Sequence, residues 1–301
     1  MTDETPTRPV LRWHGGKWLL APWVISHFPA HRVYVEAFGG AASVLMRKPR
    51  AYAEIYSDLD GDVVNLFRVL RSPLACELKN ALALTPFARE EFAQAMADPA
   101  PPDMVERARR LVVRSFMGFG SNGHNPDSKT GFRATSNRSG TTPAHDWAHY
   151  PDCLDAMIAR LRGVVIEHRD ACAIMAQQDS PATLHYVDPP YLPETRNARS
   201  GKKSDGRLGV YRHELNSGEH RDLLAFLSTL DGMVALSGYP ALSYDEALPG
   251  WRRVEKEAHA DGAADRIEAL WLSPALCHAL DAAIEARAGG ACTPLFAGLA
   301  Q

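Results

Sequence analysis

Thr183-Leu184-His185-Tyr186-Val187-Asp188-Pro189-Pro190-Tyr191 is the stretch whose reading decides the rest of the chain. Its apolar residues cluster and alternate up to Val187, which suits a short buried strand. Pro189 and Pro190 have no backbone donor for a sheet ladder, so the strand stops there and the chain leaves it extended. The result is a stiff corner at the carboxyl end of a strand, where open α/β sheets hold their ligands. It offers a carboxylate (Asp188), carbonyls without a local partner (Asp188 and Pro189) and a flat ring (Tyr191).

These atoms suit the exocyclic amine of a planar base. A carboxylate and a carbonyl both accept from an NH2 group while the ring stacks on the base. Four residues of this kind also occur as a plain turn after a strand, so the remainder of the chain has to decide.

The 301 residues leave room for one large domain or a core with an inserted module. Hydrophobic residues at 46% and charged residues at 23% are ordinary for a globular protein. No apolar run nears the ~20 residues needed to span a bilayer, and Met1 to Pro9 lack the apolar core of a signal peptide. The expectation is a cytoplasmic protein with no membrane partner. The five cysteines form no CxxC pair, which argues against a zinc site or a disulfide framework; no metal is expected. A net charge of -3 gives no general attraction to nucleic acid, so any such contact needs a local basic patch.

Two glycine-bearing segments precede the corner. In Leu11-Arg12-Trp13-His14-Gly15-Gly16-Lys17-Trp18 the glycines allow a tight loop, and Lys17 opens a helix running towards His27. A phosphate-binding loop is excluded, because Leu11 replaces its first glycine and Trp18 replaces the Ser or Thr after the lysine. Val33-Tyr34-Val35-Glu36-Ala37-Phe38-Gly39-Gly40-Ala41-Ala42 reads as a strand over 33–37, a glycine turn and a helix from about Ala41. Glycine lets a backbone approach a ligand, and a helix start supplies free N–H groups. Asp58, 18 residues after Gly40, is then placed to bind ribose hydroxyls. The G-x-G-x-x-G pattern of dinucleotide enzymes is missing, which disfavours NAD.

Between residues 60 and 162 the composition changes. Helical periodicity covers about 62–72, 73–84, 87–98 and 103–117, punctuated by prolines, and a Gly/Ser/Asn-rich loop follows. From Arg107 to Arg138 there are seven basic side chains against Asp127 alone. A basic helix running into a basic loop suits a phosphate backbone, with Arg110, Arg114, Lys129, Arg133 and Arg138 as candidate contacts. The α/β pattern resumes with a strand at 164–168 and a helix over 171–178 capped by Asp170. Beyond Tyr191, residues 192–216 form a long polar stretch whose basic residues include Lys202 and Lys203. Its length beside the corner suggests a mobile cover for the bound base. A helix from Ser217 to Leu230, a strand at 232–237 and a closing strand pair at 251–259 and 265–272 complete the chain.

Taken in order, W-x-G-G-K, the glycine loop with its acid, the helical insert and D-P-P-Y resemble Dam-type (alpha-class) DNA adenine-N6 methyltransferases across most of the chain. The resemblance departs in places. Ala37 stands for the usual Pro, Ala41-Ala42 stand where a further Gly is common, and the family's R-x-N-x-x-G-x-F-N-V-P stretch is missing, with Gly131-Phe132-Arg133-Ala134-Thr135-Ser136-Asn137-Arg138 at most a distant counterpart. A recognition sequence therefore cannot be carried over.

The resemblance implies a Rossmann-like α/β sheet (residues 1–59 and 163–301) that binds S-adenosylmethionine, with residues 60–162 as an inserted helical target-recognition domain. The implied reaction is methyl transfer to N6 of a flipped-out adenine in double-stranded DNA, by a bacterial or phage-encoded monomer. Asp188, Pro189, Pro190 and Tyr191 would form the catalytic corner. Trp13, Gly16, Lys17, Glu36, Phe38, Gly39, Gly40, Ala41, Asp58, Asp170 and Asp188 would line the cofactor site, with Lys17 near the cofactor's carboxylate. The element Arg266-Ile267-Glu268-Ala269-Leu270-Trp271-Leu272-Ser273-Pro274, which resembles the family's terminal (T/R)-E-x-L-W-x-x-P, is assigned mainly to packing. The alternatives are an amino-methyltransferase acting on RNA or a protein amide, and a DNA-binding protein without catalysis.

Overall fold

Side-chain alternation in a few short strands sorts the molecule into layers. The computed structural model describes residues 5–121, 123, 125, 130–134, 140–196, 211–259 and 265–290. Its strands are β1 Val33–Glu36, β2 Ala53–Ser57, β3 Val164–Glu167, β4 Thr183–Val187, β5 Met233–Gly238, β6 Arg252–His259 and β7 Asp265–Leu272. The helices are α1 Ala21–Ile25, α2 Ser43–Arg47, α3 Gly61–Leu70, α4 Ala75–Leu84, α5 Arg89–Ala97 and α6 Met104–Met117. They continue with α7 Pro143–Ala148, α8 Leu154–Arg160, α9 Ala171–Gln178, α10 Ser217–Leu227, α11 Leu242–Ala247 and α12 Pro274–Gly290.

The strands make one sheet in the order β3-β2-β1-β4-β5-β7-β6. The first five are parallel and β7 runs antiparallel to β5 and β6. Winding reverses between β1 and β4, which pair from Val33↔Thr183 to Glu36↔Tyr186. A crevice opens at the carboxyl ends of strands flanking such a reversal, so Gly39 and Asp188 flank it.

Every residue of β4 is buried, because the strand is central and covered on both faces. Tyr34, Tyr56, Leu184 and Tyr186 point to one apolar cluster, shared with Val63 and Phe67 of α3 and with Leu111 and Phe116 of α6. Val35, Ile55, Val187 and Leu236 point to the other, packed by Ile174 of α9 and by Leu223 and Leu224 of α10. The helices between β2 and β3 thus join the core of the sheet: composition changes at residue 60, but the packing is continuous.

Two helices differ from expectation. Instead of starting at Lys17, α1 is a single turn from Ala21, with Pro22 in its first turn and Lys17 turned inward. α2 starts at Ser43 because Ala42 takes a left-handed φ of 53°, extending the loop by two residues. Among the described residues no helix is long and apolar enough to cross a membrane.

Candidate active site at the strand exits

Three strand ends supply the wall of one cavity. After β1 the chain turns through Gly39 and Gly40. A side chain at Gly39 would overlap the Tyr56 ring, and Gly40 holds a φ of 45° with its Cα facing the Trp13 indole. Only glycine fits at either position. Tyr56 donates its hydroxyl to the Gly40 carbonyl at 2.7 Å, which fixes the turn from below. Glu36, at the last position of β1, accepts from the Tyr34 hydroxyl at 2.7 Å and from the Leu45 amide at 2.8 Å. Burial pushes its carboxyl up to about 8, against those two bonds.

Asp58, just past β2, accepts from the Gly40 amide and the Asp60 amide, both at 2.7 Å. It ties the two strand exits together. A carboxylate has about four lone-pair sites, so two remain for a ligand. Burial pushes this carboxyl up to about 6. Asp170, past β3, caps α9 by accepting from the Ala173 amide at 3.0 Å and also lines the cavity.

At the end of β4, Asp188 pairs with the Lys17 ammonium at 2.9 Å. Lys17 also donates to the Gly15 carbonyl at 2.7 Å and lies 4.7 Å from the centre of the Tyr191 ring. Burial works to lower this ammonium, but Asp188 and Glu268 outweigh it and hold it above the ordinary lysine range. Carboxylate, carbonyl and ring face thus surround one nitrogen cation. The Tyr191 hydroxyl donates to Glu268 at 2.8 Å, and the ring meets the edge of Tyr239 at 4.7 Å.

The cavity has a volume of about 730 Å³. Trp13, Gly16, Lys17, Glu36, Phe38, Gly39, Gly40, Ala41, Asp58, Asp170, Asp188, Pro189 and Pro190 all face it. Tyr191 stands behind that lining, 7% exposed.

The basic candidates are not gathered in the same way. Arg114 is a correction: it is fully buried and cannot meet a phosphate. Its guanidinium donates to the Pro99 carbonyl at 2.8 Å and to Asp62 at 3.3 Å. Burial brings it down to about 10, with Asp62 opposing. Arg110 is held at 2.6 Å by Glu106 and at 2.7 Å by Asp98. Arg107 and Arg109 are engaged too, by Asp62 and by Glu106 with Glu91. Arg133 is half-buried, its amide bonded to the Met117 carbonyl at 2.7 Å. Lys129, Arg138, Lys202 and Lys203 lie outside the described residues, as do residues 197–210 of the expected cover.

Sequence reasoning expected the 192–216 stretch to cover the site but singled out none of residues 211–215, and it missed Glu268. Residues 211–215 line the cavity, with the Tyr211 hydroxyl donating to the His14 carbonyl at 3.2 Å. Tyr211 is the one Phe, Tyr or Trp in the polar stretch 192–216, and that isolation was the available signal. Glu268 reaches the corner although its segment was assigned to packing. Its signal was a charge on the same strand face as Leu270 and Leu272, both at most 1% exposed.

A 64-residue stretch is 34% identical to a DNA adenine methylase of Serratia marcescens. It covers 21% of this chain and 23% of that protein, so the chain matches less than a quarter of this relative's length. The family described as D12 class N6 adenine-specific DNA methyltransferase matches residues 13–207, which run from the Trp13 loop through the Asp188 corner. That is well over half of the chain, and the chain belongs to the D12 class N6 adenine-specific DNA methyltransferase family.

Proposed function

We propose that this chain transfers the methyl group of S-adenosylmethionine to N6 of an adenine swung out of double-stranded DNA. The reading rests on one observation: a single cavity is lined both by Asp58, with its free acceptor sites, and by Asp188 at the reversal of the sheet. The residues fit the cofactor. The volume lies in the range of small-molecule sites, and the backbone at Gly39 and Gly40 forms part of its lining. When bound, S-adenosylmethionine supplies an electrophilic methyl group on a sulfonium.

The chain's own residues do the rest. Asp58 accepts from ribose hydroxyls, Asp170 from the cofactor's adenine amine, and Glu36 and Trp13 close the methionine end. Asp188 and the Pro189 carbonyl accept from the target amine and turn its lone pair towards the cavity, a positioning effect. As nitrogen gains positive charge, the Asp188 carboxylate and the Tyr191 ring stabilise it. The Lys17 ammonium already sits between the Asp188 carboxylate and the Tyr191 ring, with the Gly15 carbonyl as its third contact. A base stacking on that face of Tyr191 displaces Lys17.

Everting the base costs roughly a few kcal/mol, offset by stacking and by phosphate contacts. Residues 60–162 are the proposed recognition unit, with Arg133, Lys129 and Arg138 at the backbone and Lys202 and Lys203 near the everted nucleotide. The chain acts as a monomer with no metal. The test is incubation of the protein with methyl-labelled S-adenosylmethionine and duplex DNA, RNA or a glutamine-bearing protein, followed by digestion. Label in N6-methyladenine from DNA is expected. Label confined to RNA or protein, or no label at all, defeats the proposal.

A further inference from the structure

β7 reaches the Asp188 corner from the far side, and two alternate residues on one face of it touch the rings there. Glu268 accepts the Tyr191 hydroxyl at 2.8 Å. Arg266 donates to the Tyr239 hydroxyl at 2.7 Å, and Tyr239 meets Tyr191 nearly at right angles, 80° between planes. Both rings of the pair are therefore pinned at their hydroxyl ends by one strand. Glu268 has a second influence, because its charge acts with that of Asp188 to hold the Lys17 ammonium over the Tyr191 face. Burial pushes its own carboxyl up, opposed by Lys17 and the Tyr191 hydroxyl. A partly buried acid whose side chain has no other hydrogen bond among the described residues needs a reason, and packing supplies none.

From this geometry we infer that Glu268 is a positioning residue for methyl transfer, acting through Tyr191 by fixing the tilt of the ring against which the target base stacks. The inference rests on the proposed function. Without the bond, the hydroxyl end of the ring swings about the Cα–Cβ bond and slides on its Tyr239 contact, and the cage around the target nitrogen widens. Stacking geometry at an active site tolerates little of this. The carboxylate touches neither the cavity nor the reacting atoms, so binding of the cofactor is unaffected.

The experiment is a single-turnover transfer assay on adenine-containing duplex, with Glu268→Ala, Glu268→Gln, Tyr191→Phe and the Tyr191→Phe/Glu268→Ala double variant. Glu268→Ala is expected to slow transfer by about tenfold to a hundredfold, the range for losing one hydrogen bond to a charged acceptor, with cofactor affinity retained. Glu268→Gln, whose side-chain carbonyl still accepts from the phenol, recovers most of the rate. In the Tyr191→Phe background the alanine adds little, because the bond is already gone. A wild-type rate for Glu268→Ala, losses that multiply in the double variant, or no recovery by glutamine overturns the inference. Should the wild type transfer no methyl to DNA, the proposed function fails. The positioning claim is then read from crystal structures of the two Glu268 variants. It stands if the Tyr191 ring shifts in the alanine variant alone, and falls if the ring stays in place in both.

Discussion

The strand exits and the insert helices use their charged side chains in opposite ways. At the exits of β1 and β2, Glu36 and Asp58 hold backbone amides with part of their capacity, at the exit of β4 Asp188 holds the Lys17 ammonium, and all three line the cavity. In α6 the arginines face carboxylates of their own layer: Arg107 and Arg114 meet Asp62, while Arg109 and Arg110 meet Glu106. Charge at a strand exit is thus available for chemistry, and charge on this helix is part of the scaffold. Counting basic residues along a helix says nothing about what they face.

The comparison breaks first at Asp188. Asp188→Ala should lower methyl transfer by at least about a hundredfold, as for loss of a preorganised polar group at a reacting centre, while the affinity for S-adenosylmethionine by calorimetry is kept. Retained turnover would move the chemistry elsewhere. On the scaffold side, Arg114→Ala leaves Asp62 short of one buried partner and should cost about 3–5 kcal/mol of unfolding free energy in urea. The salt dependence of DNA binding should stay as in the wild type; a flatter dependence would make Arg114 a phosphate contact after all.

Asp58→Ala should weaken cofactor binding by about tenfold to a hundredfold, through loss of two ligand hydrogen bonds and of the loop they steady. The wild type should show a matching pH effect. The carboxyl sits at about 6, so it is ionised and accepting above that pH. As pH falls through 6 it takes a proton, loses acceptor sites, and affinity drops. Affinity that is flat from pH 5 to 8, roughly, would remove Asp58 from the ribose. The smallest effect belongs to Arg133→Ala, which should flatten the log–log salt dependence of DNA affinity by about one. An unchanged slope removes it from the backbone contacts.

Much of this fold was legible because its signals are local. Pro189-Pro190 ends β4 whatever surrounds it, and Gly39-Gly40 marks a turn that packing against Tyr56 and Trp13 then requires. The strand pair at 252–259 and 265–272 and the helix capped by Asp170 also follow from short patterns. What escaped was partner choice across long separations. The basic window from Arg107 to Arg138 began one residue after Glu106 and excluded Asp62, Glu91 and Asp98, the acids that occupy its arginines. Lys17 was expected beside the cofactor's carboxylate; its pairing with Asp188, 171 residues away in sequence, was not foreseen. Glu268 showed only as a charge on the strand face of Leu270 and Leu272, since nothing within β7 shows that its neighbour is Tyr191.

A crystal structure of the protein soaked with S-adenosylhomocysteine tests the central claim most directly. The account requires ribose hydroxyls on the Asp58 carboxylate and the sulfur turned to the Asp188 end of the same cavity. Ribose bound away from Asp58, or a sulfur facing away from Asp188, would contradict it.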